Sequence, residues 1–137
     1  MLKKVLKKLE LKTDQENFIK LREEAFNLGR HYVKDKGRVF DFLLCTEEIY
    51  SNSYMHAYES NGTIEISFFI EGNFIGVSIK DLGVGISDEY IYEELKIKDE
   101  TAESGRGLFI VKSLSDKMNI NKNKDRGTEV IFYFERI

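Results

Sequence analysis

Glu48, Asn52 and His56 recur every four residues within the stretch 42–58, FLLCTEEIYSNSYMHAY. On a helix at about 100° per residue, with Leu44 set at zero, they fall at about 40°, 80° and 120°. Met55, Cys45 and Ile49 fall at about 20°, 100° and 140° on the same wheel. The three polar residues therefore run up the middle of an otherwise apolar face. Burying an unpaired carboxylate or amide costs on the order of a few kcal/mol, so something polar is expected against that line. The Asn52 amide oxygen suits a hard cation such as Mg²⁺, which keeps several waters and bridges phosphate oxygens. Glu48, one turn earlier, can orient or deprotonate a hydroxyl or water attacking a phosphate. His56 closes the line and reads as structural.

Two glycine segments downstream are the candidates to face that line. Asp81-Leu82-Gly83-Val84-Gly85-Ile86 follows an alternating run. Asp81 there can accept from an exocyclic amine such as adenine N6, and Gly83 and Gly85 let a purine ring lie close to the backbone. Taken alone, the segment is also what an acidic strand end with a glycine turn looks like. It is not a dinucleotide fingerprint, because no helix opens there and the third glycine is missing. Gly105-Arg106-Gly107 precedes an apolar helical run. The free N–H groups and positive dipole end of a helix start favour phosphate, and Arg106 adds a cation. Taken singly, the same residues describe an ordinary loop entering a helix. Gly127-Thr128 reads as a turn before a strand, although a Thr hydroxyl beside Asp81 would complete a base pocket. The sequence has no P-loop pattern, no H-R-D or D-F-G, no Cys/His cluster and no defensible Ser–His–Asp constellation. His31 stands alone and reads as surface, and Asp41, Glu47 and Glu59 read as solvated.

The elements that must position these residues follow from periodicity. Residues 7–11 read as a short strand. Thr13 and Glu16 have capping-box spacing. Phe18, Leu21, Arg22, Ala25, Phe26, Leu28 and Tyr32 then keep helical period up to 36–37, where Gly37 suits a C-terminal cap. The core helix starts near 38–41 and runs to 58, and Asn61-Gly62 is a turn signal. Runs 63–70 and 74–80 alternate and form a hairpin through Gly72-Asn73. A polar stretch, 87–104, holds one weakly helical piece at 89–95. Residues 108–114 form a helix that extends at most to Asp116. Residues 117–121 read as a strand, 123–127 as a turn and 128–135 as a closing strand with Val130, Phe132 and Phe134 on one face. The order β-α-α-β-β-loop-α-β-β, with mostly antiparallel strands and helices on one face, is an α+β two-layer sandwich.

The chain has 137 residues, 42% of them hydrophobic and 33% charged, which suits one soluble domain spanning 1–137. A net charge of −3 gives a nucleic-acid role no electrostatic support. Lys3, Lys4, Lys7 and Lys8 are balanced by acidic residues soon after and read as a solvated end rather than a membrane anchor. No run approaches the roughly 18 apolar residues of a spanning helix, and no signal peptide is evident. The lone Cys45 cannot form an internal disulfide and reads as core, so a reducing, cytoplasmic setting is expected. There is no proline, no Ser/Gly-rich linker and no internal repeat.

Taken together and in order, these pieces resemble the Bergerat, or GHKL, ATP-binding fold. Glu48-Ile49-Tyr50-Ser51-Asn52 with His56 resembles its N box, Asp81 to Ile86 the G1 box, Gly105-Arg106-Gly107-Leu108 the G2 box and Gly127-Thr128 the G3 position. Within that superfamily the chain is most similar to the bacterial anti-sigma-factor serine kinases. The segments TEEIYSNSYMHAY at 46–58 and GRGLFIVKSLSD at 105–116 carry most of the likeness, which covers nearly the whole chain.

The resemblance implies roles position by position. Asn52 would bind Mg²⁺ and phosphate, and Glu48 would be the general base for a serine hydroxyl. Asp81 would bind adenine N6, with Gly83 and Gly85 shaping the base site and Thr128 touching the base or its water. Gly105, Arg106 and Gly107 would hold the phosphates of ATP, and 87–104 would be the ATP lid. Family members bind a sigma factor, phosphorylate a STAS-domain anti-sigma antagonist on serine and often form homodimers. The first helix would carry much of the partner surface. Sensor histidine kinases usually have Asn where Glu48 stands, and the gyrase, Hsp90 and MutL-type ATPases need long additional domains. Two rival readings remain: a sigma-binding module gated by ATP or ADP without kinase activity, and a scaffold that keeps the fold without nucleotide.

Overall fold

The computed structural model describes residues 2–12, 15–57, 63–81, 107–122 and 127–137, with backbone alone at 12, 15–16 and 54–57. Strands β1 (Lys3–Lys12), β2 (Thr63–Glu71), β3 (Phe74–Asp81), β4 (Lys117–Lys122) and β5 (Thr128–Glu135) form one sheet in the order β1-β2-β3-β5-β4. All four pairings are antiparallel. The hairpin between β2 and β3 turns at Gly72, whose φ of 57° is the left-handed conformation that glycine adopts without penalty.

Helices α1 (Gln15–Tyr32), α2 (Val39–Ala57) and α3 (Gly107–Leu114) complete the two layers. Alternation along the strands sends Ile64, Ile66, Phe68, Ile75, Val77, Ile79, Val130, Phe132 and Phe134 into one core with Leu21, Ala25, Phe42, Ile49, Leu108 and Val111 of the helices. Phe42 of α2 meets Phe132 and Phe134 edge-on, at centroid separations of 6.0 and 5.5 Å. The architecture is thus the α+β sandwich expected from the sequence. The opposite sheet face carries a smaller cluster of Phe69, Ile131 and Tyr133, with Phe74 packed against it. The Lys3 ammonium lies 4.1 Å from the centre of the Phe69 ring, and that ring lies over Gly76.

Many of the bonds between elements gather at one end of the sheet, where Phe74 pairs with Glu135. Lys34 N–H donates to the Glu135 carbonyl, Arg136 N–H to Asn73 and Ile137 N–H to Tyr32. Arg136 Nε donates to the Gly72 carbonyl at 3.1 Å, and Val33 bridges Arg136. Asp81 and Thr128 lie at the other end.

The structure corrects several sequence expectations. β1 is ten residues long, not five. Its register shifts between Val5 and Lys7, so Leu6 packs against the core while Lys7 reaches Glu24 of α1 at 3.8 Å, and the strand's alternation is broken. Gly37 does not cap α1. That helix ends at Tyr32 because Val33 leaves it to bridge Arg136; Gly37 lies in a separate 3₁₀ turn (Lys36–Arg38) and donates its N–H to Asp35 Oδ1 at 2.9 Å. Glu47 is not free in solvent, because Arg22 of α1 pairs with it at 2.9 Å. Glu48 and Asn52 lie at the margin of the buried face of α2 rather than up its middle. The fully buried positions are Phe42, Cys45, Thr46, Ile49, Tyr50 and Ser53, whereas Leu44, the wheel's origin, is 37% exposed. The expectations for Thr13, 58–62, 82–106 and 123–126 lie outside the described residues, as does the side chain of His56.

Candidate nucleotide site

The margin of α2 is where α3 packs. Leu108 and Val111 are buried against the core, which draws the start of α3 onto the Glu48–Asn52 turn. Gly107 is in such close contact that a Cβ there would stand 3.2 Å from Asn52 Nδ2 and 3.4 Å from the Glu48 carbonyl. A helix N-terminus, with its outward N–H groups and positive dipole end, therefore abuts an amide side chain one turn from a carboxylate. Asn52 is 8% exposed, and Glu48 is half-buried at the rim.

Asp81 is the last residue of β3 and is wholly buried. In the ladder it stands opposite Thr128, the first residue of β5, and opposite Ile64 of β2. Thr128 is 2% exposed and follows Gly127, whose φ of 84° lets the chain enter β5 by a left-handed turn. The sheet end thus carries a buried carboxylate beside a buried hydroxyl. Such a pair can read a polar heterocycle edge, with the carboxylate accepting from an amine and the hydroxyl serving either direction.

Of the residues expected at the site, Glu48, Asn52, Asp81, Gly107 and Thr128 are described. Glu48, Asn52 and Gly107 are brought together at the α2–α3 seam, and Asp81 and Thr128 at the β3–β5 end. Gly83, Gly85, Gly105 and Arg106 lie outside the described residues. Cys45, also on α2, is 0% exposed, and its thiol is pushed up to about 12, chiefly by burial and then by the negative charge of Asp41. It stays protonated and takes no part in chemistry near neutral pH. Asp41, read as solvated, is half-buried. His31 is exposed, as expected. Among the described helices none is long and apolar enough to cross a membrane.

Residues 11–134 match the family model described as a histidine kinase-like ATPase domain. The chain belongs to that family. Membership of this ATPase-domain family implies ATP binding and a kinase-like activity in general terms. Among similar proteins, the anti-sigma F factor of Clostridium kluyveri is 26% identical over 123 residues, covering 88% of this chain and 85% of its own. The anti-sigma F factor of Anoxybacillus flavithermus is 33% identical over 87 residues, covering 61% of this chain and 60% of its own. Among solved structures, a chain of the SiaB–SiaC complex from Pseudomonas aeruginosa aligns with a TM-score of 0.55 at 12% identity, covering 98% of this chain and 90% of that one, a likeness of fold.

The described residues of this histidine kinase-like ATPase domain fit a nucleotide on two counts. The missing Cβ of Gly107 leaves room against Asn52 that any other residue would fill. On the core-facing side of the β3–β5 ladder the buried Asp81–Thr128 pair is a polar terminus to apolar pairs, of which the next inward is Ile79 and Val130. Arg38 and Asp116 are not singled out by the sequence, although they join the turn before α2 to the segment just after α3. Their separation of 78 positions leaves no spacing signal.

Proposed function

We propose that this chain is an ATP-dependent protein serine kinase and anti-sigma factor. It sequesters a sigma factor and phosphorylates a STAS-domain anti-sigma antagonist. The observation that carries the reading is the approach of Gly107 to Asn52, one turn from a Glu48 that remains partly open to solvent. That arrangement supports a phosphate-facing helix start beside an acceptor that a protein hydroxyl can reach. The relatives named anti-sigma F factor support the partner classes.

In this mechanism Asp81 accepts from the adenine amine, and Thr128 contributes its hydroxyl to the same edge. Gly83 and Gly85 shape the base site. Gly105, Arg106 and Gly107 bind the phosphates. Asn52 would hold Mg²⁺, whose charge, when bound, would offset that developing on the phosphate oxygens. Glu48 takes the proton from the serine hydroxyl as its oxygen bonds to the γ-phosphorus. The bond from that phosphorus to the β–γ bridging oxygen breaks, and ADP leaves with the electron pair. Positioning and charge stabilisation supply most of the rate.

The test is Glu48→Gln. It should keep Mg·ATP binding and lower transfer of radiolabelled phosphate to a STAS-domain protein of the same organism by about 100-fold or more. Transfer at the wild-type rate would overturn the assignment of the base. Tight sigma binding with no ADP formed in the presence of any STAS-domain protein would favour a nucleotide-gated binding module. A ligand that binds only the folded state must raise the melting temperature, so no shift at millimolar Mg·ATP would retire both readings.

A further inference from the structure

Arg38, in the 3₁₀ turn before α2, ties that turn to the end of α3, to Asp116 and to the sheet. Its Nη1 donates to both carboxylate oxygens of Asp116 at 3.0 Å, and its Nη2 donates to the carbonyl of Leu114, the last residue of α3. Its guanidinium carbon lies 4.6 Å from the centre of the Phe134 ring, so the fork is braced against the sheet. Asp116 is itself fixed on β5: its N–H donates to the Tyr133 carbonyl, and its Oδ2 accepts from Glu135 N–H at 2.8 Å. Both side chains of the pair are 28% exposed.

These contacts give α3 two points of attachment along α2. Its first residue, Gly107, rests on Asn52 and the Glu48 carbonyl; its last carbonyl is held by Arg38, ahead of the first turn of α2. α3 therefore runs back along α2, and Arg38 sets its axial position from the end remote from Gly107. A helix advances about 1.5 Å per residue, so a slip of one residue would withdraw Gly107 from Asn52 by that distance. A cation at the C-terminal end of α3 also complements the negative end of its dipole.

We propose that the Arg38–Asp116 pair is a positioning strut: it holds α3 in register on α2 and so sets the phosphate-binding geometry at Gly107 and Asn52. The inference rests on the nucleotide reading for its effect on ligand, but not for its effect on α3. Among the described residues the pair's contacts with α3 and the sheet are with Leu114, Tyr133, Phe134 and Glu135, none of them a residue of the proposed nucleotide site.

The experiment compares Arg38→Gln, Arg38→Lys and Asp116→Asn with the wild-type chain. Asp116→Asn keeps an oxygen for Glu135 N–H while removing the charge, so it guards against simple loss of folding. Hydrogen exchange without nucleotide should quicken severalfold or more at 111–114 in all three variants, with Ile64 to Phe68 unchanged. Unchanged exchange at 111–114 overturns the strut. The Kd for Mg·ATP should rise about tenfold or more, and Arg38→Lys should not rescue it, because ammonium cannot replace the fork. A lowered melting temperature with quickened exchange but wild-type Kd would make the pair merely structural, overturning the positioning role. Absence of ATP binding in the wild type would instead sink the nucleotide reading, with exchange at 111–114 still deciding whether the pair sets the register of α3.

Discussion

Asp81 and Thr128 face one another across the β3–β5 ladder, both almost wholly withdrawn from water, at the sheet end opposite Arg136. A carboxylate and a hydroxyl at one sheet terminus are poor core residues and good readers of a base edge. Asp81→Asn preserves shape and exchanges an acceptor for an amide. Affinity for ATP should fall about tenfold to a hundredfold, as expected for losing a charge-assisted hydrogen bond. Thr128→Val should cost less, about threefold to tenfold. Titration calorimetry with ATP checks both; an unchanged Kd for Asp81→Asn removes it from the base site.

Gly107→Ala separates fold from ligand. The new methyl would stand 3.2 Å from Asn52 Nδ2 and 3.4 Å from a backbone oxygen, so the amide must shift by a few tenths of an ångström. Alanine favours a helix over glycine by up to about 1 kcal/mol, which offsets the crowding. Melting temperature should therefore stay close to wild type while Mg·ATP affinity drops severalfold, read by thermal melts and calorimetry on the same preparation.

Gly76→Ala tests the second cluster. A Cβ there would lie 2.4 Å from Phe69 Cζ, and that ring is fully buried and cannot swing aside. Overpacking of this kind should lower stability by about 1–3 kcal/mol, seen in urea unfolding. Adding Phe69→Leu should recover part of the loss, and a strictly additive double variant would show that the two positions do not collide.

Local chemistry was legible in the sequence where it is repeated along the chain. β5 matches its expected bounds, β2, β3, β4 and α3 lie within one residue of theirs, and the Asp81–Thr128 adjacency follows once those strands pair. What was not legible depends on contacts between distant residues. Val33 leaves α1 for Arg136, which made Gly37 a misleading stop signal. The bulge at Leu6 hides half of β1 from any count of period two. The wheel of α2 had the right residues together but the wrong centre, because Leu44 looks apolar on paper and faces water in the fold. Nothing local marks Glu47 as the partner of Arg22, or Asp116 as that of Arg38.

Cys45 gives a pH prediction. Its thiol ionises near 9.0 when unconstrained and near 12 when buried in the fold. A raised pKa means that its contribution to stability is complete below pH 9.0 and is lost as pH climbs toward 12. The loss should approach about 1.4 kcal/mol per pH unit within that window. Cys45→Ala should show a shallower alkaline decline in urea midpoint. Iodoacetamide at pH 8 should label the wild-type chain only after denaturant is added, and ready labelling of the native chain would contradict the burial.

The knot of bonds joining Lys34, Gly72, Asn73, Glu135 and Arg136 has a further consequence. It works as a spine, fastening strands and helices at the margin farthest from Asp81. Because that margin lies at the other end of the sheet from Asp81 and Thr128, substitutions that loosen the spine should lower the melting temperature before they alter affinity for Mg·ATP.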